Sequence, residues 1–383
     1  MSVPGPRGFL GTTATLGLKD DADDFAVIVS EVPATSAAVF TRSRFAGPSV
    51  TLSRQSGPDC RGVVVLSRNA NVATGQVGAD NAAEVRERVA RAVGIPAEQL
   101  LIASTGVIGR RYPMDLIRQG IDALGSPLPA ADFAAAARAI MTTDTRAKSA
   151  HETCGAATVL GIAKGVGMIE PDMATLLTFF FTDARIEAAD LDAIFRRVVD
   201  RTFNAVSIDT DTSTSDTAAI IANGVAGPVD LVEFESALYR VALSLVRDIA
   251  SDGEGASKLI EVRVTGARDD AQAKRAAKSV VNSPLVKTAV HGADPNWGRV
   301  AMAIGKLQDD EDIRPEQVRI GFGDVEMYPE ESDAARLELA AEYMKSSTEV
   351  VITVDLGLGS GAFTVYGCDL TEGYIRINAD YTT

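Results

Sequence analysis

The chain is poor in the groups on which much enzyme chemistry rests. Of its 383 residues two are histidines, His151 and His291, and three are cysteines, Cys60, Cys154 and Cys368. A Ser-His-Asp relay would have to use one of those two histidines, and no G-x-S-x-G elbow supports it. The cysteines are far apart and show no C-x-x-C spacing, so neither a disulfide framework nor a zinc site is indicated. No phosphate-cradling G-x-x-x-x-G-K-[ST] occurs. The run Gly357-Leu358-Gly359-Ser360-Gly361 precedes an expected strand, so it reads as a turn and not as a dinucleotide fingerprint. Acidic residues show no metal-ligand spacing, and neither a metal nor another cofactor is expected. Long apolar runs are missing too. No stretch reaches the roughly 18 residues a membrane span needs, and the amino-terminal MSVPGPRGFLG does not read as a secretory signal. Positive charge is in deficit. The formal net charge of -15 disfavours a nucleic-acid partner. Together these point to a cytoplasmic enzyme.

What is present is an ordinary globular composition, 46% hydrophobic and 23% charged. Apolar residues at helical spacing predict helices over 82–93, 113–124, 131–141, 191–199, 231–249 and 271–281. Strands are expected over 25–30, 62–67, 100–104, 158–162, 176–182, 260–264, 318–322, 350–356, 363–366 and 374–378. Ile260, Val262 and Val264 alternate with Glu261, Arg263 and Thr265, the pattern of a sheet with one covered face. Three strands crowd the carboxyl end with little helix between them, so part of the sheet should be antiparallel. The expected fold class is α/β, with layered mixed sheets flanked by helices.

With the usual nucleophiles and bases scarce, the threonines gain interest. Gly165-Val166-Gly167-Met168-Ile169-Glu170-Pro171-Asp172-Met173-Ala174-Thr175-Leu176-Leu177 runs from a glycine-rich stretch through Pro-Asp into an apolar segment. By composition, Thr175 is an ordinary residue at the head of a buried strand. It also has a chemical alternative. As the first residue of a chain, its own α-amino group, titrating at about 7.7–8.0, can take the hydroxyl proton. Exposure requires cleavage. Oγ attacks the Ala174 carbonyl, an ester forms by N-to-O acyl shift, and water releases the preceding chain. The small Ala174 leaves that carbonyl accessible.

The Met173–Leu177 segment, preceded by Ala163-Lys164-Gly165 and Gly167-Met168-Ile169, resembles the self-processing glutamate N-acetyltransferase / ornithine acetyltransferase family of the cyclic arginine pathway. The resemblance continues in order through Ala103-Ser104-Thr105-Gly106-Val107-Ile108-Gly109, Met141-Thr142-Thr143-Asp144, Ser207-Ile208-Asp209-Thr210-Asp211-Thr212-Ser213-Thr214-Ser215-Asp216, Asp252-Gly253-Glu254-Gly255-Ala256 and Asp294-Pro295-Asn296-Trp297-Gly298-Arg299. It is strongest toward members from clavulanic-acid-type gene clusters. It implies an N-terminal-nucleophile-like (DmpA/ArgJ-like) architecture cut at Ala174–Thr175. The products would be an α chain (1–174) and a β chain (175–383), intertwined in one catalytic unit with a smaller C-terminal lobe, in an α2β2 heterotetramer. The implied reaction moves acetyl from N2-acetyl-L-ornithine to L-glutamate by a ping-pong route through an acetyl-Thr175 ester, releasing ornithine, with acetyl-CoA at most a weak donor.

The resemblance also implies roles for single residues. Thr105 and Gly106 match the oxyanion stabilisers. A hydroxyl and a backbone N–H after strand 100–104 suit that task, and equally suit a plain turn. Thr142, Lys164, Glu254, Asn378 and Thr383 match substrate-binding positions, and Thr143 can share the role of its neighbour. Lys164 suits a substrate carboxylate and Glu254 a substrate amine. Arg68, Val72 and Thr210 depart from the family pattern, Arg68 and Thr210 standing where glycine is common. His291 and Asp294–Arg299 read as structural or interface elements. Two other classes stay open: an N-terminal-threonine amidase or peptidase, in which water accepts the acyl group, and a non-catalytic protein in which Thr175 is never exposed.

Overall fold

A computed structural model describes residues 5–18, 22–170, 176–329 and 333–380. In chain order the strands are β1 (Phe9–Ala14), β2 (Phe25–Ser30), β3 (Thr35–Phe40), β4 (Gly62–Leu66), β5 (Leu100–Ser104), β6 (Lys148–Cys154), β7 (Ala157–Lys164), β8 (Leu177–Arg185), β9 (Thr217–Pro228), β10 (Leu259–Ala267), β11 (Arg319–Phe322), β12 (Val325–Tyr328), β13 (Glu349–Asp355) and β14 (Gly361–Cys368). The α-helices are α1 (Pro48–Ser53), α2 (Gly75–Val93), α3 (Met114–Asp122), α4 (Phe133–Ala139), α5 (Ala188–Arg201), α6 (Leu231–Ser251), α7 (Asp270–Val281), α8 (Pro284–His291), α9 (Trp297–Ile304), α10 (Ala334–Ser346) and α11 (Glu372–Asp380). The first sheet runs β1-β2-β4-β5, the second β3-β9-β8-β7-β6, and the third β12-β11-β13-β10-β14. Each is mixed: β4/β5, β8/β9 and β10/β13 pair in parallel and their other pairs are antiparallel.

Which face each strand buries sets the layers. Val64, Leu66, Leu100 and Ile102 of the first sheet pack on α2 and α3. The opposite face, through Ile28, Val63, Val65 and Leu101, shares a core with Ile162, Phe179 and Phe181 of the second sheet, joined by α4. Phe180 points the other way, onto α5 and α6. The order is therefore helix, sheet, sheet, helix. A strand covered on both faces reads as a near-continuous apolar run, which accounts for Leu176–Phe181, interrupted only by the buried Thr178. Each of those buried phenylalanines contributes about 1.5–3 kcal/mol. The third sheet encloses a separate core with α7 to α10. The α/β architecture of layered mixed sheets is the one expected. Among the described residues no helix is long and apolar enough to cross a membrane.

One expected element is corrected. Residues 374–378, expected as a strand, lie in α11. Alternating Ile375 and Ile377 suggested a period of two, but local capping decides otherwise. The Gly373 N–H donates to Thr371 Oγ1 (2.9 Å), Glu372 sits in the first turn, and Asn378 Nδ2 donates one turn back to the Tyr374 carbonyl (3.1 Å). Ile375 is 67% exposed, so the apolar alternation had no core to serve. Helix α2 begins at Gly75 and not at 82. The Gly357–Gly361 run is a connection into β14, as expected.

Two of the noted departures acquire a backbone meaning. Arg68 (φ 74°) and Thr210 (φ 69°) occupy the left-handed region, which suits glycine. A β-branched residue there costs about 1–2 kcal/mol, of which glycine's greater unfolded freedom returns about 0.5–1 kcal/mol. Thr210→Gly is therefore expected to raise the chemical-denaturation midpoint modestly; an unchanged or lowered midpoint contradicts this account of Thr210.

Candidate functional site

The Thr105–Gly106 turn follows β5 directly. Its neighbouring N–H groups are spent: Thr105 N–H donates to the Leu66 carbonyl (3.1 Å) and Val107 N–H to the Arg68 carbonyl (3.2 Å). Among the described residues, Thr105 Oγ1 and the Gly106 N–H are left as the donors of the turn. Gly106 has φ 129°, and a Cβ there would lie 2.1 Å from the Arg68 carbonyl carbon, so no other residue fits without moving the Arg68 backbone.

These donors open onto a cavity of about 360 Å³ that also receives Thr142, Lys164, Glu254 and Asn378. Thr143, Leu176 and Leu177 line it as well. Lys164 ends β7, and its Nζ donates to Thr142 Oγ1 (3.2 Å). Burial pulls its ammonium below the usual lysine range against the pull of Asp144, Asp216 and Glu254. Glu254 sits in the turn after α6. Its Oε1 accepts from Thr143 Oγ1 (3.2 Å) and its Oε2 from Asn378 Nδ2 (2.9 Å). Gly167 makes room for it, since a Cβ at 167 would come within 2.6 Å of the carboxylate. Helix α11 is held against this turn by the Thr371 hydroxyl, which donates to the Gly255 carbonyl (2.6 Å). The cavity thus has a cationic part at Lys164 and an anionic part at Glu254. Ala174, Thr175 and Thr383 lie outside the described residues; Leu176, the next residue in the chain, lines the cavity.

Sequence reasoning missed the charges beneath the site. Lys148 Nζ donates to Asp144 Oδ1 (2.7 Å) and Asp252 Oδ2 (2.6 Å), and all three side chains are buried. Asp144 also accepts from the N–H groups of Gly165 (2.7 Å) and Thr142 (3.1 Å), while Asp252 accepts from Thr145. Burial works to raise the Asp144 carboxyl. Lys164, Lys148 and the Gly165 N–H outweigh it and hold the group below the usual carboxylate range. A further missed acid, Asp216, is 2% exposed and lines the cavity. Asp209, in the same segment, accepts from the N–H groups of Met168 (2.7 Å) and Ile169 (2.8 Å), fixing the approach to residue 171. Asp144, Asp209 and Asp216 belong to segments that the family resemblance had marked without giving them work.

A model of the ArgJ family matches residues 11–383. The chain belongs to the ArgJ family. It is 66% identical to "Glutamate N-acetyltransferase Oat2" of Streptomyces clavuligerus, over 99% of this chain and 98% of that one. It is 57% identical to "Arginine biosynthesis bifunctional protein ArgJ" of Rhodococcoides fascians, over 100% and 96%. A crystal structure of the ArgJ protein of Bacillus halodurans is 39% identical, covering 52% of this chain and 96% of that one, with a TM-score of 0.49. This ArgJ chain is an acyltransferase of arginine biosynthesis.

The buried triad yields a stability prediction. Lys148→Met leaves Asp144 and Asp252 without their cation and should cost about 3–5 kcal/mol at pH 7, read from chemical denaturation. Asp144, held low in the fold, contributes stability that is complete above its unfolded value of about 3.9. That contribution is lost as the pH falls through the lower folded value. The difference between the two proteins should therefore close in strong acid. A loss under about 1 kcal/mol at pH 7 would show the triad to be dispensable.

Proposed function

We propose that this ArgJ chain cuts itself between Ala174 and Thr175 and then carries acetyl from N-acetylornithine to glutamate on the Thr175 hydroxyl. The observation that carries this is the composition of one cavity. Thr105, Gly106, Thr142 and Lys164 come from before the bond; Leu176, Glu254 and Asn378 come from after it. The second sheet interleaves β3, β6 and β7 with β8 and β9, so fragments 1–174 and 175–383 share a core and remain together after the cut. Assembly of two such pairs as α2β2, in the cytoplasm, completes the proposal.

In the first half-reaction the Thr175 amine takes the hydroxyl proton, and Oγ bonds to the acetyl carbon of the donor. The negative charge on the acetyl oxygen is met by the Thr105 hydroxyl and the Gly106 N–H. The C–N bond then breaks, ornithine leaves with the proton, and Thr175 holds an acetyl ester. In the second half-reaction the amine of glutamate attacks that ester and restores the hydroxyl. Lys164 with Thr142 suits the carboxylate of either amino acid. Glu254, oriented by Thr143 and Asn378, suits the free side-chain amine of the ornithine donor. Asn378 and Thr383 bind from the carboxyl end. Acetyl-CoA serves at most weakly as a donor.

Thr175→Ala is expected to remain a single 40.2 kDa species on a denaturing gel and to transfer no acetyl; a split, active variant would refute the proposal. Thr105→Ala should lower kcat by about 10²–10³ with little change in KM. Acetyl loss from N-acetylornithine should depend on glutamate in steady state. Loss that ignores glutamate would make the protein a hydrolase.

A further inference from the structure

Before the cut, the nitrogen of Thr175 is an amide and has no basic lone pair. The base that serves the finished enzyme is therefore missing from the step that creates it. Three described groups lining the cavity can exchange a proton by titration: Lys164, Glu254 and Asp216. Lys164 is engaged with Thr142, and both oxygens of Glu254 are taken by Thr143 and Asn378. Asp216 differs. It is 2% exposed, and its Oδ2 has no hydrogen-bond partner among the described residues.

Its place in the fold sets it beside Leu176, the second residue after the proposed cut. Strands β8 and β9 run parallel with Leu177 opposite Thr217, and the Thr217 N–H donates to the Leu176 carbonyl (2.9 Å). Asp216, directly before Thr217, therefore falls at the level of Leu176 in the register, and Thr175 directly precedes Leu176 in the chain, with about 3.8 Å between successive Cα atoms. The Asp216 carbonyl accepts from the Thr41 N–H (3.0 Å), which fixes its backbone from the β3 side.

We propose that Asp216 is the proton relay of self-cleavage, an inference that rests on the self-cleavage reading above. One carboxyl oxygen accepts the Thr175 hydroxyl proton as Oγ bonds to the Ala174 carbonyl carbon. The carboxyl O–H gives its proton to the Thr175 nitrogen as the C–N bond breaks. Asp216 ends with one proton, as it began. Thr175 gains a free amine, and residues 1–174 hang on Oγ as an ester that water then hydrolyses. The relay needs a carboxyl that is protonated at neutral pH. Burial favours that form, pushing Asp216 above the usual carboxylate range, with Ser213, Lys164 and Thr41 offsetting this only in part.

The test follows newly synthesised full-length chain by denaturing gel. Asp216→Asn keeps the shape and can still hydrogen-bond but cannot take up and pass on a proton, and splitting should slow at least about 100-fold. The melting profile should stay cooperative, and hydroxylamine, which cleaves esters, should release no fragments because the ester never forms. Asp216→Glu should recover measurable splitting. Should the amide variant fail to fold, Asp216→Ser, smaller and uncharged, is read in the same way. Splitting of folded Asp216→Asn at the parent rate overturns the inference. So does its complete cleavage by hydroxylamine, which would put Asp216 after the acyl shift. Thr175→Ala separates the two levels. If it stays whole while Asp216→Asn splits, only the relay fails; if Thr175→Ala itself splits, the self-cleavage reading fails with it.

Discussion

The site depends on one buried ammonium. Lys148 lies on β6 and holds two carboxylates, Asp144 four residues before it and Asp252 at the end of α6. Each carboxylate in turn holds backbone. Asp144 fixes the N–H groups of Thr142 and Gly165, the flanks of the Thr142–Lys164 contact, and Asp252 lies two residues before Glu254. The cationic and anionic parts of the cavity are thus referred to the same buried charge. Charges so far from water cost several kcal/mol each to desolvate and are tolerated only when fully paired. This makes the arrangement rigid: shifting either carboxylate would unpair it. The fold contributes the rest of the frame. Two face-to-face sheets bring the turn after β5 opposite the end of β7 and the start of β8.

Much of the architecture was legible in the sequence because apolar spacing carries it. The strand-length apolar run from Leu176 to Phe181 read as a strand, and Val85 and Val89 marked a helix with one buried side. The elements that escaped notice lacked that signal. Strand β6, Lys-Ser-Ala-His-Glu-Thr-Cys, is a sheet edge with largely polar side chains. Strand β9 is rich in alanine and glycine, poor strand formers in isolation, and is held by β3 and β8 on either side. Helix α11 was mistaken for a strand because its capping lies in Thr371 and Glu372, just before the alternating isoleucines.

The candidate site was legible in a different way. Nothing in spacing or composition singled out Thr105, Thr142, Lys164, Glu254 or Asn378. Ordered short segments did, and the fold gathers all five around one cavity. Lys148, Asp144 and Asp216 were not found because a buried charge looks like a surface charge until its surroundings are known. The departures at Arg68 and Thr210 show the reverse case. Both occupy left-handed backbone where glycine would be relaxed, one against the Gly106 turn and the other beside Asp209, which holds Met168 and Ile169. Strain of this kind is kept where the surrounding structure over-determines the backbone, and here one site borders the cavity and the other the Met168–Ile169 segment.

The central claim is that one residue, Thr175, is both the product of the cut and the carrier of the acyl group. The most direct measurement is to mix the purified enzyme with N-acetylornithine labelled in its acetyl group, without acceptor, quench in acid and map the peptides. The account predicts label as an ester on the side chain of Thr175, at the amino end of the 175–383 fragment, discharged on adding glutamate. Label on any other residue, or full transfer to glutamate with no labelled enzyme at any time, would contradict it.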